Sequence, residues 1–202
     1  MPGGRVRAVH SRPRPTSLCT DVSNPLGPHR AEGYSRFMDS SPHSLIRVPS
    51  PLGMLELTAG PAGILSLSIE AHGSLPLQSA PEKRSPVLQQ AKRQLAEYFA
   101  GTRQAFDLPV FLDRGTEFQR SVWSGLSGVA FGEVVSYGEL GARVGRPGSG
   151  RAIGGAVGAN PVPIIVGCHR VLATNGRITG YSAGEGIATK AWLLDHEGIS
   201  HR

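Results

Sequence analysis

The sequence predicts a small α/β unit followed by a mostly helical unit, an α/β + α chain, and three observations carry that reading. Residues 44–70 alternate apolar and polar side chains with period two, the pattern of an antiparallel sheet with one face buried. After residue 84 the apolar period lengthens to that of helices. Between residues 116 and 160 two capping boxes and a Gly-containing turn mark short consecutive helices, a helix-turn-helix pattern.

With 202 residues the chain has room for one large domain or two small ones. At 39% hydrophobic and 18% charged it reads as a soluble globular protein. No apolar run approaches the length of a membrane span, and the N-terminus lacks the apolar stretch of a secretory signal. The net charge of +6 is uneven: residues 1–36 hold six arginines against Asp21 and Glu32, whereas residues 37–202 hold fifteen basic and thirteen acidic side chains. Such a nearly neutral body is expected to make few phosphate contacts rather than to wrap nucleic acid.

Residues 1–43 are rich in Pro, Arg, Ser and Gly and show no apolar period. They read as a disordered leader or as the product of a start codon placed too far upstream. Cys19 lies there with His10, His29 and His43, but at no familiar zinc spacing, so no metal site is expected. An α/β domain is assigned to residues 44–112. In it Leu55 and Leu57, then Leu65, Leu67 and Ile69, alternate with polar neighbours on either side of a Gly60-Pro61-Ala62-Gly63 turn, a β-hairpin. Residues 71–84 form a loop. Ser85-Pro86 opens a helix whose buried face is Leu88, Ala91, Leu95, Tyr98 and Phe99, and Gly101 ends it. Nothing in this unit is expected to carry chemistry.

Residues 102–115 are a connection, and the second domain is assigned to 113–202. Thr116 and Gln119 form one capping box, followed by Phe118, Val122 and Leu126 at helical spacing. Ser136 and Glu139 form another, for a short helix through Leu140 and Val144. Gly145-Arg146-Pro147-Gly148 turns the chain into a helix over residues 151–159, which Asn160-Pro161 must end. Ile164-Ile165-Val166 reads as a strand leading into Gly167-Cys168-His169-Arg170-Val171. Thr174-Asn175-Gly176 is a tight turn, and a last helix is expected over residues 188–197, packing through Ala191 and Leu194.

A bare Cys-His pair is most often a core cysteine beside an unrelated histidine. Here its context speaks otherwise. Asn160-Pro161-Val162-Pro163, Cys168-His169-Arg170-Val171, Gly180-Tyr181-Ser182 and Trp192-Leu193-Leu194 with His196-Glu197-Gly198 resemble the active-site half of O6-alkylguanine-DNA alkyltransferases. Phe118-Gln119, Val122-Trp123, Val135 to Leu140 and Arg151 to Ala156 are similar to that family's helix-turn-helix. The resemblance spans roughly residues 45–198 and is densest over 116–198. It implies a ribonuclease-H-like domain followed by a winged-helix-type DNA-binding domain, and a direct-reversal DNA repair reaction that consumes no cofactor. A thiolate takes the alkyl group from O6-alkylguanine, and by extension O4-alkylthymine, once per molecule.

The resemblance also implies roles. Cys168 is the acceptor, His169 takes the thiol proton through a water, Glu197 holds the imidazole, and Asn160 braces the active-site turn. Tyr137 donates toward guanine N3. Pro163, the Val171 backbone, Tyr181 and Ser182 form the base pocket. Arg151 enters the stack in place of a flipped base, with Ala152, Gly154, Gly155 and Val157 against the minor groove. The expected partner is double-stranded DNA bound by a monomer in the cytoplasm, at the nucleoid in a bacterium, with no membrane. A free thiol with a pKa of about 8.5 is only partly ionised at neutral pH, so a nearby base or positive charge is required. In a strand Cys168 and His169 point to opposite faces, so direct contact between them is difficult and a bridging water or a bend is expected. The departure is Gly167, where the family usually has Pro. Two rivals remain open: a protein that binds the lesion without transfer, and a cysteine hydrolase that would turn over.

Overall fold

Three strands pair antiparallel in chain order, β1 (Ser44–Ser50), β2 (Gly53–Gly60) and β3 (Gly63–Ile69). The computed structural model describes residues 44–202; the leader, with Cys19, His10, His29 and His43, lies outside the described residues. Ile46 and Val48 pair with Leu57 and Leu55, which pair in turn with Leu67 and Ile69, so six aliphatic side chains share one face. Helix α1 (Pro86–Phe99) covers that face with Leu88, Ala91, Leu95 and Tyr98, all fully buried. Thr58 pairs with Ser66 but Ala59 with Ile64, so Leu65 is an extra residue in β3, a β-bulge that lets Ile64 turn inward. On the other face of β2 the buried Glu56 accepts the Leu77 amide (2.8 Å) and pairs with Arg47 (3.2 Å), which in turn donates to the Leu77 and Ala80 carbonyls. That cluster pins the 71–84 loop.

Pro86 stands in the first turn of α1 as expected, but the Ser85 hydroxyl is engaged with Ser44 (3.0 Å) rather than with a helix amide. Gly101 ends the helix at φ +72°. The 102–115 connection has more order than a loop: Ile64 donates to the Pro109 carbonyl and Phe111 to the Ile64 carbonyl, both at 2.8 Å, extending the edge of β3. A Cβ on Gly63 would sit 2.4 Å from the Pro109 oxygen, so only glycine permits this approach.

Both predicted capping boxes form with both of their hydrogen bonds, at Thr116 for α2 (Glu117–Leu126) and at Ser136 for α3 (Tyr137–Arg143). Helix α4 (Gly150–Gly158) follows the Gly145-Gly148 turn and packs on α2, where the Trp123 indole N–H donates to the Ala156 carbonyl (2.8 Å). Two two-residue strands, β4 (Val135–Ser136) and β5 (Val171–Leu172), pair in parallel and tie the start of α3 to the stretch after the cysteine. The last helix, α5 (Ile187–His196), buries Thr189, Lys190, Leu193 and Leu194, while Ala191 is only half-buried. One apolar core runs from the strands through α1 into α2, α3, α4 and residues 162–171. Among the described residues no helix is long and apolar enough to cross a membrane.

The expected strand at 164–166 is absent. The run is buried, which explains its apolar composition, but its amides bond locally instead of to a ladder. Ile165 donates to the Pro163 carbonyl (2.9 Å) across Ile164, whose φ is +72°. This is a γ-turn of the strained hand, at a β-branched residue, a feature that costs on the order of 1–3 kcal/mol. Asn160 imposes the turn from outside: its Oδ1 accepts the Val162 amide (3.1 Å) and its Nδ2 donates to the Val166 carbonyl (2.9 Å).

Candidate active site

The chain leaves this turn through Gly167 (φ −69°, ψ 56°), with the Cys168 amide donating back to the Val166 carbonyl at 2.7 Å, an inverse γ-turn. Cys168, His169 and Arg170 then form one turn of 3-10 helix. The two reactive side chains are therefore about 120° apart around one 3-10 turn, and not on opposite faces as in a strand. Cys168 faces a cavity of about 520 Å³ lined by Tyr137, Gly154, Val157, Tyr181, Ser182 and Lys190, among others. Its Sγ–H points to the Tyr181 hydroxyl at 3.9 Å. Burial pushes the thiol pKa up, and hydrogen bonds with Asn160 and Tyr181 and the Lys190 charge work against it.

His169 turns into the core and is fully buried. Its Nε2 lies 2.8 Å from Glu197 Oε1, at the end of α5. Burial raises the pKa of Glu197, but the hydrogen bonds and charges of His169 and Arg170 outweigh this and hold it well below the usual carboxylate range. An ionised Glu197 can only accept, so Nε2 carries the proton and Nδ1 carries the lone pair. Nδ1 is buried and has no hydrogen-bond partner among the described residues. Burial pushes the His169 pKa down, which keeps the ring neutral and able to take a proton.

The other expected residues divide. Tyr137 begins α3 and lines the cavity, its hydroxyl bonded to Thr179 Oγ1 (3.0 Å). Tyr181 walls the cavity beside the thiol, and the Ser182 hydroxyl donates to the Gly158 carbonyl (2.6 Å). Arg151, Ala152 and Gly155 lie exposed on α4. Two placements differ from expectation, those of Val157 and Pro163. Val157 is buried and lines the cavity with Cys168, away from the exposed face of Arg151, because α4 presents successive residues to different sides. Pro163 lines an adjoining groove with Asn160 and Ser182. Val171, expected to contribute its backbone, has a fully buried side chain, and its carbonyl accepts Lys190 Nζ at 2.5 Å.

Lys190 was not anticipated. Its ammonium is buried beside the cavity with no carboxylate partner among the described residues, 6.0 Å from the Tyr181 ring centre, and burial pushes its pKa down to about 8. The available signal was spacing, since Lys190 shares the helix face of Leu193, Leu194 and Glu197. Two further residues were missed. Arg170 grips Glu197 through Nε (2.8 Å) and Nη2 (2.9 Å), and Tyr98, in the unit expected to carry no chemistry, donates its hydroxyl to Glu197 Oε1 (2.8 Å).

Gly167 has a backbone that proline can adopt: φ is −69° and its N–H has no partner among the described residues. A Cβ there would stand 2.9–3.1 Å from the Arg170 guanidinium and Cδ, so any side chain requires Arg170 to yield slightly. Gly167→Ala and Gly167→Pro share that contact, but only Pro also fixes φ in the unfolded chain, a difference of up to about 1 kcal/mol. The Pro variant is expected to melt above the Ala variant, and thermal melts of the two decide it. A Pro variant that melts below Ala would show a local bend at the cysteine that proline cannot follow.

Comparison with known proteins adds independent findings. Residues 44–112 match the family model of the 6-O-methylguanine DNA methyltransferase ribonuclease-like domain, and residues 117–199 match that of its DNA-binding domain. A methylated-DNA–protein-cysteine methyltransferase of Salmonella typhimurium is 50% identical over 104 residues, 52% of this chain and 60% of the relative's length. One from Mycolicibacterium paratuberculosis is 40% identical over 147 residues, 73% of this chain and 87% of the relative. Among solved structures, the Mycobacterium tuberculosis O6-methylguanine methyltransferase superposes with a TM-score of 0.68 at 38% identity, covering 76% of this chain and 92% of that one. A Mycobacterium tuberculosis OGT in complex with DNA superposes with the same values.

Proposed function

Because the chain belongs to the O6-alkylguanine-DNA alkyltransferase family, we propose that it repairs alkylated DNA by moving the alkyl group of O6-alkylguanine onto Cys168, once per molecule. The observation that carries the reading is a buried cysteine at the wall of a base-sized cavity, next in sequence to a neutral histidine held by a carboxylate. The thiol proton passes to His169 Nδ1 through a water. The sulfur attacks the alkyl carbon, the carbon–O6 bond breaks, and its electron pair stays on the guanine, which takes a proton at N3 with help from Tyr137. A thioether remains on Cys168. Tyr181 lines one side of the base, the Ser182 backbone N–H meets O6, and Asn160 keeps the turn that aims the sulfur. The partner is duplex DNA, engaged by a monomer through the minor groove with α4.

Incubation with duplex DNA containing O6-methylguanine tests the proposal by intact mass. The protein should gain one CH2 on the Cys168 peptide and stop after one equivalent. Repeated turnover, or binding with no mass gain, would overturn it.

The target base must leave the stack, at a cost of a few kcal/mol, and Arg151 at the exposed start of α4 would fill the gap. Arg151→Ala is expected to slow repair of duplex DNA roughly tenfold to a hundredfold. Repair of a single-stranded oligonucleotide, where flipping is not needed, should be far less affected. Equal losses on both substrates would make Arg151 a structural residue.

A further inference from the structure

The geometry points to Tyr98 as a positioning residue for alkyl transfer: its hydroxyl, carried on α1 of the sheet half, donates to the Glu197 oxygen that holds His169 and so limits the pull of that carboxylate on the imidazole. This rests on the function proposed above.

Glu197 is crowded with donors. Oε1 receives Tyr98 Oη (2.8 Å), His169 Nε2 (2.8 Å) and Arg170 Nη2 (2.9 Å), and Oε2 receives Arg170 Nε (2.8 Å) and the Gly132 amide (3.3 Å). Five donors meet a carboxylate with about four lone-pair sites, so they compete. Tyr98 competes on the very oxygen that His169 uses. Its ring cannot swing away, because Phe99, Phe106, Phe131 and His196 surround it at centroid distances of 4.9–6.1 Å, and its carbonyl is bonded to His196 Nε2 at 2.8 Å. Burial and the Glu197 charge push its own pKa up, so it stays a donor throughout the working range.

The direction follows from what faces His169. Burial disfavours the imidazolium most; Glu197 favours it, and the positive charges of Arg170 on the same turn and Lys190 on α5 add smaller effects against it. Cys168 precedes it in the turn, with Tyr181 against the thiol. Tyr98 weakens the one favourable partner. His169 is thereby kept neutral until the thiol gives up its proton, and the half of the protein without a nucleophile sets the basicity of the other half's base.

Tyr98→Phe keeps the ring and removes the hydroxyl. NMR titration of the His169 ring in DNA-free protein should show its pKa rising by roughly half a unit, about one neutral hydrogen bond's effect. The single-turnover rate against pH on methylated duplex should shift its inflection toward lower pH, since an imidazolium more easily formed stabilises the thiolate. A His169 titration identical to wild type would overturn the assignment and leave Tyr98 as packing. Should the Phe variant fail to fold, 3-fluorotyrosine at position 98, a stronger donor, must lower the His169 pKa; no change there overturns the proposal equally. The NMR measurement needs no alkylated DNA. A wild-type protein that fails to take up a methyl group would sink the transfer reading without touching this result.

Discussion

Cys168→Ala is expected to abolish alkyl transfer completely while leaving recognition of alkylated DNA in place. The substitution removes one sulfur from a site that is 4% exposed; Tyr137 keeps its bond to Thr179 and Val157 its burial, and Tyr181 loses only the long 3.9 Å contact with the thiol. The cost to stability should be about 1 kcal/mol, the usual size for a small buried truncation. No other described side chain can replace the sulfur: Cys168 is the free cysteine among the described residues, and Lys190 Nζ is committed to the Val171 and Gly180 carbonyls. Gel-shift titration with methylated duplex and intact mass of the recovered protein separate binding from transfer. A CH2 gain that persists in the variant, with the label on Cys19, would remove Cys168 from the role of acceptor.

What the sequence disclosed follows the range of the interactions involved. The capping boxes at Thr116 and Ser136 were readable because a cap and its partner lie three residues apart. The sheet and the buried face of α1 were readable because period two and helical spacing are local patterns. The stretch 164–166 misled because an apolar run near Gly looks alike whether it is a strand or a buried turn. What decides between them is the Asn160 side chain, which bonds across six residues to Val166. The relay around Glu197 was only half legible. His169 and Glu197 came from resemblance to a known family. Tyr98 lies 99 residues from Glu197, and no local rule links the end of a helix in the sheet half to a carboxylate near the C-terminus. Arg170 stands beside His169 in the motif, but nothing in its sequence neighbourhood assigns it a partner. Only the packed structure shows it 7% exposed with its guanidinium on a carboxylate.

Glu197→Gln should produce the largest loss of stability, because it removes the charge that several buried groups share. Glu197 is 5% exposed and is the only carboxylate that Arg170 contacts among the described ion pairs. Gln at this position keeps the volume but turns an N–H2 group toward donors and leaves the Arg170 guanidinium with the Val129 carbonyl (2.7 Å) as its main partner. Breaking a buried pair from one side costs about 3–5 kcal/mol. For a domain of this size that lowers the melting temperature on the order of 10 °C. Transfer should also slow by roughly a hundredfold, since His169 loses the acceptor that fixes its tautomer and orients Nδ1 as the base. The pH dependence separates this account from simple loss of packing. The folded pKa of Glu197 lies below its ordinary 4.5, so its stabilisation is fully present above about that value and is lost as pH falls toward the folded pKa. Urea midpoints of wild type and variant should therefore differ most near neutrality and draw together below about pH 4. A gap that stays constant from pH 7 down into acid would mean that the shape of residue 197, and not its charge, is what the fold requires.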